Sequence, residues 1–342
     1  MPDALTTLTD PVVLFFALGL LAGAVRSNLE IPPAVSKFLS LYLLMAIGFK
    51  GGQALSHSGL TGDALRAMGL AVVLAVAIPL IGYRVLRLGT DRFHAAAIAA
   101  TYGSVSAVTF VAGTQYVTSQ GAAPGGHMAV ALVLMESPAV LMAVALARWA
   151  RSQASAPVAV PVGAGAGIPV GPGDAHGEPQ GLGGILRSAF TEGTFVLLVG
   201  SLVVGAASGA KGGETMAPLT VDLFKGLLAF FLLDLGIVVA RQLREVRGIP
   251  LFLVGFAVGM PLVGAALALA LGLVARLPLG DLTMLMVLAA SGSYIVVPAV
   301  VRYAIPEALP SRYLTMALGI TFPLNIVLGI PLYYGVAHAL VG

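Results

Sequence analysis

Residues 94–117 read HAAAIAATYGSVSAVTFVAGTQYV, an apolar run of membrane-spanning length that is interrupted by Thr101-Tyr102-Gly103-Ser104-Val105-Ser106. About 20 mostly apolar residues are enough for one transmembrane helix. The interruption contains a glycine, which relaxes the backbone, and serines, which favour the N-cap of a following helix. A second interruption, Ser291-Gly292-Ser293-Tyr294, lies in the apolar run 282–302. The sequence therefore predicts two transmembrane helices that are each broken into two halves.

The composition of the chain is that of a helical membrane protein. Of its 342 residues, 58% are hydrophobic and 10% are charged, and the mean hydropathy is +0.98. An ordinary soluble domain has about 25% charged residues, so a soluble enzyme is excluded. The net charge of +3 is spread along the chain, which argues against a nucleic-acid partner. Cysteine is absent, and the sequence contains no catalytic dyad or metal-ligand spacing, so we expect neither an enzyme nor a cofactor beyond a coupling ion.

Apolar segments of this kind occur ten times, which predicts an all-α polytopic membrane protein with ten transmembrane helices. They are 11–25, 33–49, 67–88, 94–117, 128–148, 186–207, 219–240, 248–275, 282–302 and 313–340. Residues 151–185 are rich in Ala, Pro, Gly and Val, which is typical of a flexible linker. The chain thus divides into a first five-helix half (1–150), a linker (151–185) and a second five-helix half (186–342).

The distribution of basic residues predicts the orientation of these helices. With the N-terminus outside and ten crossings, five of the 18 basic residues fall on the outer side and the other thirteen on the inner side. The outer five are Lys50, Arg66, Lys211, Lys225 and Arg276. Because cytoplasmic loops carry the excess of Lys and Arg, we expect both termini outside and the linker in the cytoplasm. The expected location is the plasma (inner) membrane.

The two halves of the chain repeat each other. Four pairs of segments match in the same order at offsets between 182 and 189 residues: 37–48 with 225–236, 79–82 with 261–264, 103–104 with 292–293, and 136–138 with 321–323. Each half has five predicted spans, so the halves enter the membrane from opposite sides. An inverted repeat of this kind is typical of secondary transporters that work by alternating access around a site at the midplane.

The two interruptions are the candidate substrate site. The N-terminus of a half-helix presents unpaired backbone N–H groups and about half a positive charge, which can hold an anion without Lys or Arg. The candidate residues are Thr101, Tyr102, Gly103, Ser104, Val105 and Ser106 in the first interruption and Ser291, Gly292, Ser293 and Tyr294 in the second. The alternative is that these small residues only pack helices closely, which is the interpretation we favour for the pairs Gly19/Gly23 and Gly255/Gly259.

Two acids lie inside apolar spans, where a carboxylate is costly and is usually functional. They are Glu136 and Asp234. A carboxylate with hydroxyl and amide oxygens suits a small hard cation, and Ser137, Thr321 and Asn325 supply such oxygens nearby in the sequence. We therefore predict a sodium site from these five residues; the alternative is that the acids make structural hydrogen bonds.

The segment Ala99–Phe110 closely resembles the signature of the cyanobacterial sodium-dependent bicarbonate transporters. The resemblance extends to Ile31-Pro32 and to 44–52, and it covers the chain apart from the linker. It implies a homotrimer of ten-helix subunits, each with a gate and a core domain. It also implies that bicarbonate binds between the broken helices with sodium close by, and that a PII-like regulatory protein docks on the cytoplasmic face of some members.

Together these features predict a sodium-coupled symporter that imports a small inorganic anion, with bicarbonate first. Two other functions remain open from the residues. The chain could transport another small oxyanion or carboxylate through the same site, or it could be a membrane sensor that binds the ligand without moving it.

Overall fold

The computed structural model describes residues 11–59, 61–152, 193–294 and 296–342, and within these ranges it contains helices and no strands. The α-helices are α1 (Pro11–Ala24), α2 (Pro33–Ser58), α3 (Gly62–Leu86), α4 (Arg92–Gly103), α5 (Ala107–Ser119), α6 (His127–Ser152), α7 (Gly193–Ala217), α8 (Leu223–Glu245), α9 (Leu251–Val274), α10 (Leu279–Ala289), α11 (Val296–Ala304), α12 (Pro310–Leu314), α13 (Phe322–Leu324) and α14 (Ile330–Val341). The predicted linker, apart from its first two residues, lies outside the described residues.

Six helical stretches of the described chain are long and apolar enough to cross a membrane. They are Pro33–Ser56, Gly62–Leu86, Arg92–Ser119, Val196–Leu243, Leu251–Val274 and Pro310–Val341. Shorter apolar helices occur at Leu14–Ala24, His127–Ala143 and Leu279–Ala289. The chain is therefore a multi-pass helical membrane protein.

The boundaries of several segments differ from the sequence prediction. Helix α2 continues to Ser58, nine residues beyond the predicted end at residue 49, because its polar last turns pack against α7. The predicted loop between 207 and 219 is also helical. The chain passes from α7 into α8 through one π-helical turn, Pro218–Asp222, and only Gly209, at φ 59°, departs from helical geometry in α7.

Both predicted interruptions are present. Helix α4 ends at Gly103, the backbone is extended at Ser104 and Ser106, and α5 begins at Ala107. Helix α10 ends at Ala289, and α11 begins at Val296. The start of α4 is fixed by Asp91, whose carboxylate accepts hydrogen bonds from the N–H groups of the first turn.

Glycines bring two helix pairs into close contact. Helix α1 packs against α8, and α2 packs against α7. A Cβ atom added to Gly19 would lie 2.1 Å from the carbonyl oxygen of Leu233, and one added to Gly52 would lie 2.0 Å from that of Leu202. The close-packing interpretation is therefore confirmed for Gly19.

The same interpretation is wrong for the pair in α9. A Cβ atom added to Gly255 or Gly259 would meet no atom of the described residues within 4 Å. These glycines lie on an open face of the helix, where Val258 and Leu262 are also exposed. Apolar side chains on this face are compatible with a lipid environment.

The remaining helices pack around the two interruptions. Helix α3 packs against α4 and α6, and α9 packs against α10 and against a π-helical turn, Thr315–Thr321, in the last helical stretch. Half-helices from the two halves of the chain contact each other: α5 packs against α10, and α11 packs against α4. This arrangement places residues 104–106 and 290–294 in the protein interior.

Candidate functional site

The two interruptions contact each other directly through hydrogen bonds. The backbone N–H of Ser106 donates to the Oγ of Ser291 at 3.1 Å, and the backbone N–H of Ser293 donates to the carbonyl oxygen of Thr101 at 2.9 Å. Ser291 in turn donates its hydroxyl to the carbonyl oxygen of Leu288 at 2.8 Å. Residues that are about 190 positions apart thus form one crossing point.

Serines cap both half-helices that leave this crossing. The Oγ of Ser106 accepts a hydrogen bond from the N–H of Thr109 at 3.2 Å, and the Oγ of Ser293 accepts one from Val297 at 3.4 Å. A single cap leaves other first-turn N–H groups without an intrahelical acceptor. A small cavity of about 10 Å³ lies against the start of α5 and is lined by Ala107 and Val108.

The hydroxyl of Ser104 lies at the end of α4, next to this crossing. Its residue is 1% exposed, and its Oγ has no hydrogen-bond partner among the described residues. Most buried hydroxyls in proteins have a partner, so an unpartnered one calls for an explanation, and a bound water, ion or ligand is one. Ser104 is therefore a candidate ligand-binding group at the crossing.

Tyr102 belongs to a buried chain of hydroxyls. Its Oη lies 2.6 Å from the Oγ1 of Thr321, and Thr321 donates to the carbonyl oxygen of Ala257 at 2.7 Å. Because the Thr321 hydroxyl has one hydrogen, Tyr102 must donate to Thr321. This chain links α4, α9 and the last helical stretch, and it leaves Thr321 one acceptor position.

Asn325 contacts the second interruption. Its side-chain N–H₂ donates to the carbonyl oxygen of Ala290 at 2.8 Å, just after the end of α10, and its Oδ1 accepts a hydrogen bond from Tyr333 at 2.9 Å. Thr321 and Asn325, both in the last helical stretch, thus reach one interruption each. Tyr333 was not predicted from the sequence, because its role depends on a contact eight residues away along a helix.

The two glycines of the interruptions have different surroundings. A Cβ atom on Gly103 would lie 2.7 Å from the ring of Pro79, whereas one on Gly292 would lie no closer than 3.6 Å to its neighbours. Neither has a positive φ. The expectation that both relax the backbone is therefore corrected: Gly103 is required by its contact with Pro79, and Gly292 has room for a methyl group.

The predicted sodium ligands make different contacts. Asp234 is 8% exposed and lies beside Ser36 of α2, and no hydrogen bond joins it to Thr321 or Asn325 within the described residues. Glu136 is buried in α6 and has an interaction partner. The side chain of Ser137 lies outside the described residues. Ser36 was not predicted from the sequence, because it is not an acid and lies outside the segments that match between the two halves.

A further buried pair lies at the other end of the half-helices. The Nε2 of His127 lies 3.0 Å from the Oδ2 of Asp281, and the backbone N–H of Gly125 donates to Asp281 at 2.7 Å. These contacts tie the start of α6 to the start of α10. The sequence analysis did not single out Asp281.

The electrostatics of the crossing come from the backbone and not from cationic side chains. The buried polar residues of the described part include no lysine and no arginine. No three His, Cys, Asp or Glu side chains in that part gather into a group that could hold a metal ion. Helix termini and hydroxyls are therefore the groups that a ligand would meet, and they suit a small anion.

Comparison with known protein families identifies the family of the chain. Residues 11–338, nearly the whole chain, match the family described as the Na+-dependent bicarbonate transporter superfamily. No curated protein matches the chain. The matched range contains both interruptions and the predicted linker, so it covers every part of the site described above. The chain therefore belongs to the Na+-dependent bicarbonate transporter superfamily and is a transporter, not an enzyme.

Proposed function

We propose that this protein is a sodium-coupled symporter that imports bicarbonate and binds it at the crossing of α4–α5 and α10–α11. The observation that carries the proposal is the unpartnered, buried hydroxyl of Ser104 beside two serine-capped half-helices. A hydroxyl donor together with first-turn N–H groups matches the oxygen atoms of a small oxyanion. The other predicted site residues, from Thr101 to Ser106 and from Ser291 to Tyr294, surround this point.

The electrostatic balance of such a site favours an anion. Two half-helix N-termini contribute about half a positive charge each, and a buried anion needs this compensation because isolated charges are costly away from water. The small cavity beside Ala107 and Val108 has a volume of about 10 Å³, which leaves no room for a bulky ligand. The charge favours an anion over a neutral or cationic ligand, and the limited space favours bicarbonate over larger carboxylates.

We propose Asp234 and Glu136 as the acids that provide sodium coupling. Both are buried in the membrane-spanning part of the chain, where a carboxylate is expected to serve a function. Thr321 and Asn325 each form a hydrogen bond with one interruption. A sodium ion bound near them would therefore affect the geometry of the anion site. Sodium is the coupling ion in this proposal, and no other cofactor is proposed.

Alternating access around an inverted repeat is supported by the pattern of helix contacts. In the predicted repeat, each helix of the first half has a counterpart in the second half. When every helix is replaced by its counterpart, the pair α1–α8 becomes α7–α2, the pair α3–α4 becomes α9–α10, and the pair α5–α10 becomes α11–α4. Each of these pairs is in contact. A homotrimer, an inner-membrane location with both termini outside, and a PII-like cytoplasmic partner are proposed from the family resemblance and the basic-residue distribution.

Uptake by the purified protein in sealed proteoliposomes tests the proposal. We expect labelled bicarbonate to accumulate when sodium is higher outside and not when sodium is equal or replaced by choline. Binding without accumulation would indicate a sensor. Inhibition of uptake by another small oxyanion at lower concentration than bicarbonate would indicate that the other anion is the substrate.

A variant of Ser104 tests the location of the site. Because the hydroxyl has no partner, Ser104→Ala should leave thermal stability unchanged or slightly higher. It should raise the KM for bicarbonate about fivefold, corresponding to one lost hydrogen bond of about 1 kcal/mol. Ser119→Ala is the matched control, since Ser119 lies at the exposed end of α5 and bonds to Tyr116. An unchanged KM in Ser104→Ala would contradict the proposed location.

A further inference from the structure

A larger cavity, of about 290 Å³, lies between α2, α5, the start of α6 and the start of α8. Two lysines line it, Lys50 from α2 and Lys225 from α8. The Nζ of Lys50 lies 5.1 Å from the centre of the Phe224 ring, and Lys50 and Lys225 are close enough to repel each other. Two cations that share one cavity raise its electrostatic potential for anions.

No acid neutralises these lysines within the described part of the chain. None of the residues that line the cavity is an Asp or a Glu, and the ion pairs found there do not involve Lys50 or Lys225. Asp222, three residues before Lys225, is exposed and makes no ion pair with it. Lys50 and Lys225 are both exposed, and their mutual repulsion is relieved further when an anion lies between them.

This cavity is adjacent to the smaller one at the start of α5. The two cavities share two lining residues, Ile47 of α2 and Val111 of α5. The smaller cavity then reaches Ala107 and Val108, the first residues after the Ser106 cap. Ile47 and Val111 are thus the apolar boundary between the lysine pair and the crossing.

We propose that Lys50 and Lys225 form a second anion site, at which bicarbonate or a similar small inorganic anion is held before it passes Ile47 and Val111 to reach the crossing. The inference rests on the proposed function for the identity of the anion and on the basic-residue distribution for the outer position of both lysines. The second site is a capture site: it raises the local concentration of the anion and steers it, and it does not take part in coupling.

Kinetics of lysine variants test this proposal in proteoliposomes at saturating sodium. We expect the double variant Lys50→Gln/Lys225→Gln to raise the KM for bicarbonate about tenfold while kcat changes by less than about twofold, as lost steering would. The wild-type KM should rise with ionic strength, and that of the double variant should not. Lys37→Gln is the matched control, because Lys37 is the repeat counterpart of Lys225, is exposed and does not line the cavity. A double variant with the wild-type KM would overturn the proposal.

Chemical protection of the lysines supplies a readout that does not need transport. An amine-acylating reagent is applied to the full-length protein in detergent, where both sides are accessible, and modification of each lysine is quantified by mass spectrometry. Bicarbonate should slow the modification of Lys50 and Lys225 but not that of Lys37. Equal modification with and without bicarbonate would overturn the second site even if transport occurs. Protection in a protein that shows no sodium-dependent flux would instead uphold the site and contradict the proposed function.

A variant of Ile47, at the boundary between the two cavities, tests whether the anion can bind at the lysines without being transported. Ile47→Trp should abolish uptake by filling the boundary between the cavities, while bicarbonate still protects both lysines, which also shows that the variant is folded. Uptake at the wild-type rate would contradict the proposed route.

Discussion

Ser104 and Asp234 illustrate how single residues in this protein divide between ligand binding and packing. Ser104 is buried without a partner at the end of α4, whereas the carboxylate of Asp234 is hydrogen-bonded to Ser36. An unsatisfied buried group costs about 1–3 kcal/mol, so Ser104 is retained at a cost that a bound ligand would remove. Asp234 has a structural partner, and its functional role has to be tested by sodium dependence.

Substitution of the two interruption glycines should give different results. Gly103→Ala should lower the free energy of unfolding by about 1–3 kcal/mol, because the new methyl group overlaps the rigid ring of Pro79. Gly292→Ala should fold with nearly wild-type stability, because its Cβ has room. Thermal unfolding in detergent, followed by size-exclusion chromatography, measures both. Equal losses would contradict the asymmetry between the two interruptions.

The substitution Asp234→Asn should raise the sodium concentration for half-maximal uptake at least about tenfold, a loss of about 1.4 kcal/mol. The amide keeps the size of the side chain and can still accept a hydrogen bond from Ser36, but it lacks the charge that attracts the cation. Sodium titrations of uptake at fixed bicarbonate and pH measure the effect. Ser36→Ala is the control for the hydrogen bond alone, and superimposable curves for Asp234→Asn and wild type would assign Asp234 to structure.

At the scale of the helix, close contacts and caps decide which positions tolerate change. Glycines on α1, α2 and α7 let backbones approach, whereas the glycines of α9 face open space. Helix starts are held by side-chain caps, of which Asp91 at α4 is charged and Thr61 at α3 is neutral. A substitution at a close contact or at a charged cap can therefore be compared with one at an open glycine or at a neutral cap.

Gly52→Ala should destabilise the protein by about 1–3 kcal/mol, because the added Cβ would lie 2.0 Å from the carbonyl oxygen of Leu202 and would force α2 away from α7. Gly255→Ala is the matched control and should be neutral or stabilising, since alanine is favoured over glycine by about 0.5–1 kcal/mol inside a helix. Thermal stability in detergent measures both. A loss of stability in Gly255→Ala would contradict the open face on α9.

The cap at Asp91 should contribute stability that depends on pH. Partial burial raises the pKa of this carboxyl, but hydrogen bonds from His94 and Phe93 outweigh burial and the pKa is lowered. A lowered pKa means that the contribution is complete above the ordinary Asp pKa of about 3.9 and is lost as the pH falls through the lower, folded value.

Asp91→Ala should therefore cost about 0.5–2 kcal/mol at neutral pH, and the difference from wild type should shrink below about pH 4. Thr61→Ala removes a neutral cap and should cost a similar amount at every pH. Melting temperatures across this pH range measure both variants. A constant cost for Asp91→Ala would show that the carboxylate charge does not stabilise the cap.

At the scale of the whole molecule, contacts between the ends of helices divide the loops into two sets. One set joins Arg66 to Ala275, Gly125 to Asp281, and Tyr116 to Tyr334; the other joins His94 to Leu309 and Arg151 to Glu307. At the second set the pKa of the Glu307 carboxyl, although raised by partial burial, is lowered overall by Arg151. We predict that the two sets lie on opposite sides of the membrane, with the second set, which is close to the arginine-rich loops, on the inner side.

Single cysteines can test this topology cleanly, because the chain has no native cysteine. Leu88 is 83% exposed in the loop between α3 and α4, and Ser119 is at the far end of the broken helix. We expect an impermeant maleimide to label Ser119→Cys in intact cells and Leu88→Cys only after permeabilisation. Labelling of both from the same side would contradict the crossing order, and the reverse pattern would contradict the orientation.

The sequence by itself determined the helical membrane class, the two interrupted spans and the family resemblance, because composition, apolar run length and serine caps are local properties. The tertiary structure alone decided which groups meet. The bond between Ser106 and Ser291 joins residues 185 positions apart, and that between Tyr102 and Thr321 joins residues 219 apart. The tertiary structure also leaves Ser104 without a partner, brings Asp234 next to Ser36 and places Lys50 beside Lys225. Such partners depend on how helices cross in space, and no local pattern encodes that geometry.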